Sequence, residues 1–256
     1  PDGVASAHAH GVPVPEGAND NPYSIDDNLW GRAIECGVLE DPWNEPPHDV
    51  WVMTKDPEET PDTATYVDID FEGGKPVALD GEKMPLAALV AKLNQVAADN
   101  GYGRLDLMEN RMVGLKSREC YEVPAALTLI NAHKALEDLT LERDVLHQKL
   151  YLEQTWATCV YNGQWFSPLK KALDAFMAET QKFVTGTVRV KFFKGHCTVM
   201  GRKSPCSLYD FGLATYDRDT TFDEKAAEGF IQIETLSLKT WAKMQGPTSE
   251  AAASLA

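Results

Sequence analysis

The densest run of ionisable side chains in the 256-residue sequence is Arg104–Glu122, RLDLMENRMVGLKSRECYE. Arg104 to Met112 has the composition of a strand, and it runs into a loop at Gly114 crowded with groups of both signs. Such a loop at a strand end can receive a zwitterion, with carboxylates facing an ammonium and cations facing a carboxylate. The same residues would also make a salt-bridged surface loop, and residue types alone favour that plainer reading. Other chemistries find less support. Gly114-Leu115-Lys116-Ser117 lacks the glycine directly before lysine that a phosphate loop needs, and a hairpin turn explains Gly73-Gly74-Lys75-Pro76. The sequence contains no GxGxxG and no GxSxG. His8 and His10 form an HxH pair in a terminal segment and His196 adjoins Cys197, with Cys206 further on, but a metal site needs three or four converging ligands. No metal site is expected, and no catalytic residue is assigned.

The elements that must position this run are legible in part. Residues 3–11 read as the end of a short helix stopped at Gly11, and the Pro-rich stretch 13–22 reads as a linker. Residues 40–48 are loop-like, and Val50-Trp51-Val52-Met53 is a short apolar run with strand character. Val67, Ile69 and Phe71 alternate with Asp68, Asp70 and Glu72, which predicts a strand with one buried face. Turns at Gly73-Gly74 and Asp80-Gly81 bracket Pro76–Leu79 and complete an antiparallel meander. Leu86, Leu89, Val90, Leu93 and Val96 recur at helical spacing, with Gly101 past the end. Residues 124–158 read as two helices broken near Asp138-Leu139-Thr140. Ser167-Pro168 is a cap and first-turn pair for a helix reaching about Val184 and stopping at Gly186. Val188–Phe192 and Cys197–Met200 flank a turn at Lys194-Gly195-His196, and a last helix is expected over Ile231–Met244 before a mobile tail, Ser249–Ala256. Hairpins mixed with separate helices predict an α+β fold, an antiparallel sheet with flanking helices.

Composition bounds the function classes. Apolar residues make up 43 % and charged residues 25 %, values of a globular chain long enough to bury a core without staples. A net charge of −15 argues against a nucleic-acid surface, and the absence of a long apolar run argues against a membrane span. Cys36, Cys120, Cys159, Cys197 and Cys206 are odd in number and form no CxxC pair, which suggests thiols packed as small hydrophobes in a reducing compartment. No secretory signal pattern is visible, and the Pro1-Asp2-Gly3 start without an initiator Met suggests a piece of a longer chain.

A resemblance sharpens these expectations. Pro22–Arg32 (PYSIDDNLWGR) followed by Gly37–Pro42 (GVLEDP) resembles the opening of the synthetase domain of the argininosuccinate synthase family. Glu109-Asn110-Arg111, Gly114–Arg118 and Tyr121-Glu122 are similar to its second signature, and Ser204-Pro205, Ser207-Leu208-Tyr209 and Gly229-Phe230-Ile231 to its C-terminal ones. The resemblance, from about residue 4 to about 245, implies an enzyme that joins citrulline to aspartate while cleaving ATP to AMP and pyrophosphate, in the cytoplasm and in arginine biosynthesis. It implies residues 1–21 as a remnant of a nucleotide-binding domain with its linker, 22–228 as the citrulline-binding domain, and 229–256 as an oligomerisation helix and tail of a homotetramer. Ser24, Glu109 and Tyr121 fall on citrulline-binding positions, and Ala33 on a position often serine. ATP with Mg2+ would be a substrate, with most of its site and that for aspartate on a domain preceding this chain, so this chain alone is expected to be inactive. The alternative is a truncated binding and assembly module without catalysis. Residue by residue, Ser24 could instead cap a helix at Ile25, Tyr121 could be core, and Glu109 could be a structural partner of Arg111 or Arg118.

Overall fold

The computed structural model describes residues 2–13, 23–215 and 221–246. The linker expected at 13–22 lies outside the described residues except for Pro13, and so does the tail at 249–256. The chain divides into two compact units, residues 1–208 and 209–256.

The first unit begins with α1 (Asp2–Ala9), with Gly11 in the left-handed region at φ +67° past its end, as the sequence predicts. Two antiparallel sheets follow, flanked by helices, and the α+β expectation is met. The first sheet holds β1 (Ser24–Asn28), β2 (Gly31–Glu35), β6 (Arg104–Asn110) and β7 (Lys116–Glu122) in the order β1-β2-β7-β6. The second holds β3 (Thr65–Glu72), β4 (Lys75–Leu79), β5 (Glu82–Lys83), β8 (Gly186–Phe193) and β9 (His196–Lys203) in the order β5-β4-β3-β8-β9. The meander and the β8–β9 hairpin stand as read, except that His196 belongs to β9, paired with Phe193, rather than to the turn.

The main core lies between the second sheet and two helices, α2 (Leu86–Asp99) and α3 (Pro124–Thr140). Val67, Ile69 and Phe71 of β3 and Val188, Val190 and Phe192 of β8 meet Leu89, Leu93 and Ala97 of α2 and Leu129, Ala132 and Leu136 of α3. The two-residue alternation of the strands and the 3.6-residue recurrence of the helices converge there. The break after α3 falls at Leu141-Glu142, two residues later than expected. Glu142 is the reason: its carboxylate accepts from the N–H groups of Asp144 and Val145 and starts α4 (Arg143–Tyr161). Buried Lys149 of α4 reaches back to Glu137 of α3 at 3.2 Å. Ser167 caps α5 (Pro168–Thr180) as predicted. Lys170 of α5 sits over the rings of Trp156 and Trp165, and Trp156 donates to Asp174 at 2.7 Å, which clamps α4 to α5.

The second unit carries α6 (Phe211–Ala214), α7 (Ala226–Glu234) and α8 (Leu236–Gln245). The single helix expected over Ile231–Met244 is two, meeting at Thr235, whose hydroxyl and backbone N–H both bond back to the Ile231 carbonyl, at 2.6 and 3.1 Å.

Two expectations fail around the first sheet, the first of them through Glu122. The run Val50–Met53 is not a strand. The N–H groups of Val52, Met53 and Thr54, which a strand would give to a neighbour, donate instead to the Glu122 carboxylate at 3.0, 2.9 and 2.8 Å. The segment Lys116–Glu122, read as a loop, is strand β7, and the loop shrinks to a turn over Arg111–Leu115 with Gly114 at φ +87°. Glu122 is fully buried and also receives Arg32 of β2 at 2.8 Å and the Thr54 hydroxyl at 2.8 Å. Thr54 in turn accepts from Arg104 of β6, whose guanidinium lies over Trp51. One carboxylate thus ties β2, β7 and the 50–54 segment together. Gly31 is required beside it: a Cβ there would stand 2.5 Å from the Glu122 carbonyl oxygen.

Glu122→Gln keeps the shape but replaces an acceptor oxygen by an N–H2 facing N–H donors and leaves Arg32 only the exposed Asp27, 3.4 Å away, as counter-charge. Breaking a buried ion pair costs about 3–5 kcal/mol, which for a chain of this size lowers the Tm by roughly 6–20 °C. Calorimetric melts of the two proteins check this; a drop below about 2 °C contradicts the role given to Glu122.

Candidate functional site

Pairing across the first sheet decides which side chains share a face. Ser24 lies opposite Glu35 and Asp26 opposite Ala33. Ala33 lies opposite Tyr121. Tyr121 lies opposite Leu105, Glu119 opposite Leu107, and Ser117 opposite Glu109. By strand alternation Ser24, Ala33, Glu109 and Tyr121 therefore all belong to one face, together with Glu35 and Glu119. Ile34, Cys120, Arg118 and Glu122 belong to the other, where Ile34 and Cys120 pack with Leu39 and Val50 in a second, smaller core. Ser24 opens a strand, so the helix it might have capped does not exist.

Over the first face lies a cavity of about 420 Å³ whose lining includes Ser24, Ala33, Glu35, Glu109, Glu119 and Tyr161. Tyr121 is set slightly apart. It is half-buried and lines the neighbouring apolar cavity of about 340 Å³, which shares Asp26 and Ala33 with the first. Its hydroxyl donates to Glu119, so it touches the polar cavity through that carboxylate rather than directly. Ala33 lines both cavities and offers no hydroxyl to either.

The polar cavity is built around one cation and several carboxylates. The Arg111 guanidinium is 2.5 Å from Glu35, 3.1 Å from Glu119 and 3.3 Å from Glu109. Glu109 is thus a partner of Arg111, and the alternative partner is not available: Arg118 faces the other side, binds Asp106 through two nitrogens at 2.9 and 2.6 Å, and holds the 41–44 loop by the carbonyls of Asp41 and Asn44. The run makes ion pairs on both faces of one hairpin, Arg118 with Asp106 on one and Arg111 with Glu35, Glu109 and Glu119 on the other, where the cavity lies.

Hydrogen bonding from the Tyr161 hydroxyl, then from Glu119, with the nearby Arg111 charge, holds the Glu109 carboxyl below the usual range. Burial pushes the Glu119 carboxyl up, and Glu109 and Glu35 add to the rise. The two neighbouring carboxyls therefore shift in opposite directions, Glu109 down and Glu119 up. Burial, then Glu119, also raises the Tyr121 phenol, which stays a donor. Glu35 and Glu109 face a single guanidinium, so the cavity has a negative surplus that suits a guest ammonium. Arg111 Nε is buried without a hydrogen-bond partner.

Glu35, Arg111, Glu119 and Tyr161 line the cavity without having been assigned to it from the sequence. Recognising β2 as a strand would have placed Glu35 beside Ala33 by alternation; Tyr161 arrives from α4 and has no local signal. Among the described residues no group of three His, Cys, Asp or Glu side chains is arranged to hold a metal ion, and His10 bonds the Ser6 carbonyl instead. Among the described residues no helix is long and apolar enough to cross a membrane. All five cysteines are free thiols, with burial pushing Cys120 to about 11 and Cys197 to about 12.

Residues 23–241 match the family model for the arginosuccinate synthase C-terminal domain. Argininosuccinate synthase of Rubrobacter xylanophilus is 53 % identical over 251 residues, covering 98 % of this chain and 61 % of that protein. The enzymes of the same name from Bacillus licheniformis and Listeria welshimeri are 57 % and 56 % identical over 92 % and 93 % of this chain, and over 58 % and 59 % of their own lengths. The chain thus spans about three-fifths of the length of these curated relatives. With a family model matched over most of its length and relatives sharing more than half of its residues, this chain belongs to the argininosuccinate synthase family.

Proposed function

We propose that this chain supplies the citrulline-binding part of an ATP-dependent carbon–nitrogen ligase of the cytoplasm, which makes argininosuccinate from citrulline and aspartate. The observation that carries this reading is the gathering of Ser24, Ala33 and Glu109 around one cavity with a surplus of carboxylate, beside Tyr121. Glu109, kept ionised, suits the citrulline α-ammonium; Ser24 and the Tyr121 hydroxyl suit its uncharged polar groups. In the reaction the ureido oxygen attacks the α-phosphorus of ATP, pyrophosphate leaves, and adenylated citrulline forms. The aspartate amine then displaces AMP and loses a proton. The work of this chain is to hold citrulline in line for attack, which is positioning rather than proton transfer. On this reading the glycine- and serine-rich pyrophosphate loop, the aspartate contacts and any magnesium ligands belong to other residues.

Glu109→Gln in the catalytically complete protein removes the negative charge facing the ammonium while keeping size. Citrulline KM rises roughly 10- to 150-fold, the worth of one charge-assisted hydrogen bond, with ATP and aspartate KM values little changed. Steady-state kinetics with each substrate varied, beside a thermal melt, checks it. A citrulline KM within twofold of the parent removes Glu109 from the site, and a uniform loss with a lower Tm makes it structural. The 256-residue chain alone should release no pyrophosphate from ATP with citrulline and aspartate, and measured turnover would overturn that expectation.

A homotetramer is part of the same reading. Ile231 and Ile233 of α7 and Leu236, Leu238, Trp241 and Met244 of α8 are all more than half exposed, which is a large apolar surface for helices that face solvent. Truncation before Gly229 should lower the mass seen by light scattering, and a full-length monomer at micromolar concentration would contradict the assembly.

A further inference from the structure

Tyr121 and Glu119 stand two residues apart on β7, on the same face, and their side chains bond to each other. The phenol is the donor and the Glu119 carboxylate the acceptor. The other Glu119 oxygen accepts from Arg111 at 3.1 Å, and Arg111 is itself held by Glu35 at 2.5 Å. Glu119 is only 8 % exposed, so water competes little for its bond to Tyr121. Burial raises the Glu119 carboxyl, and the bond from Tyr121 acts the other way, in favour of the anion that accepts it. Across the strands Tyr121 lies opposite Ala33 of β2 and Leu105 of β6, whose side chains offer it neither donor nor acceptor.

A phenol has one proton to give and lone pairs to receive. With the proton committed to Glu119, the Tyr121 oxygen can only accept from a guest. The distinction matters for a ureido group, which carries N–H donors and one carbonyl oxygen, and that oxygen must attack phosphorus. A phenol donating to the oxygen would occupy a lone pair needed for the attack. A phenol accepting from the terminal N–H2 leaves the oxygen free and polarises the group so that negative charge moves from nitrogen to oxygen. We propose that Glu119 is a positioning residue that sets the direction of the Tyr121 hydrogen bond, so that Tyr121 receives the ureido N–H2 of citrulline and leaves the nucleophilic oxygen uncovered. The inference rests on the citrulline reading of the cavity.

The test titrates the chain calorimetrically with two compounds, citrulline and Nδ-acetylornithine. The second is the isostere in which a methyl group replaces the terminal N–H2 while the ammonium and the carbonyl oxygen stay. The parent should bind citrulline roughly 3- to 10-fold more tightly than the isostere, the worth of one hydrogen bond. Tyr121→Phe removes the acceptor and should lower that preference below twofold. Glu119→Gln should do the same without touching the phenol. Arg111 draws the amide oxygen to itself, the amide N–H2 turns to Tyr121, and the phenol proton is pushed toward the guest. Glu119→Asp keeps the charge but draws it back from the phenol, and should lose the preference as well. A thermal melt of each variant confirms that it folds. If Tyr121→Phe weakens both compounds by the same factor, the phenol meets a part of the guest that they share, and the proposal is overturned. If the Glu119 variants weaken both equally and keep the preference, Glu119 acts through charge or packing alone, and its positioning role is overturned. Glu109→Gln distinguishes failure of the underlying reading: it should weaken both compounds alike, and if it leaves both unchanged the citrulline reading fails and this inference with it.

Discussion

The buried Glu122 carboxylate is the constraint on which the site depends. A carboxylate with no solvent access must be matched by donors on every side, and here the donors come from β2, from three successive backbone N–H groups at 52–54 and from the Thr54 hydroxyl. Because side chains alternate along a strand, pinning Glu122 to the inner face also pins Cys120 and Arg118 there and turns Tyr121 and Glu119 outward. A slip of one residue in β7 would exchange the two sets, burying Glu119 against Ile34 and taking Tyr121 away from Ala33. The register that satisfies one buried charge is the register that assembles the cavity.

Within the cavity the balance of charge matters more than any single bond. Three carboxylates crowd one guanidinium, and environment resolves the conflict by separating them: Glu109 is stabilised as the anion by donors, while burial raises Glu119 toward its protonated form. The remaining negative surplus suits a cation such as an ammonium. The neighbouring cavity, lined by Leu105, Leu107 and Ile130, has only Asp26 as a carboxylate, with Arg32 to balance it, so the two cavities over this sheet are chemically distinct although they share Asp26 and Ala33.

What was legible in the sequence follows from where the signals are local. The second sheet and its helices announce themselves through Val67, Ile69 and Phe71 and through Leu86–Val96, because each buries one face against a large core. The first sheet does not. β1 (SIDDN) is exposed along its whole length and shows no apolar alternation, and β2 buries an arginine where a hydrophobe would be expected. Val50–Met53 has the residues of a strand, but its N–H groups are claimed by a carboxylate about seventy positions away, information no local window holds. The site shows the same division. Ser24, Glu109 and Tyr121 came from motif resemblance, and the pairing of strands explains why they belong together. Arg111 stood in the polar run without an assigned role, and Tyr161 depends on how α4 packs.

The central claim is that the first sheet carries an ammonium-selective pocket whose anchor is Glu109. The most direct measurement is a backbone amide NMR titration of the chain with citrulline and with its N-acetyl derivative, which differs only in lacking the ammonium. Citrulline should shift the amides of Ser24, Glu35, Glu109, Arg111, Glu119 and Tyr161 saturably, and the acetylated compound should not reach saturation at comparable concentrations. Equal binding of the two compounds, or shifts confined to the opposite face around Asp106 and Arg118, would contradict the account.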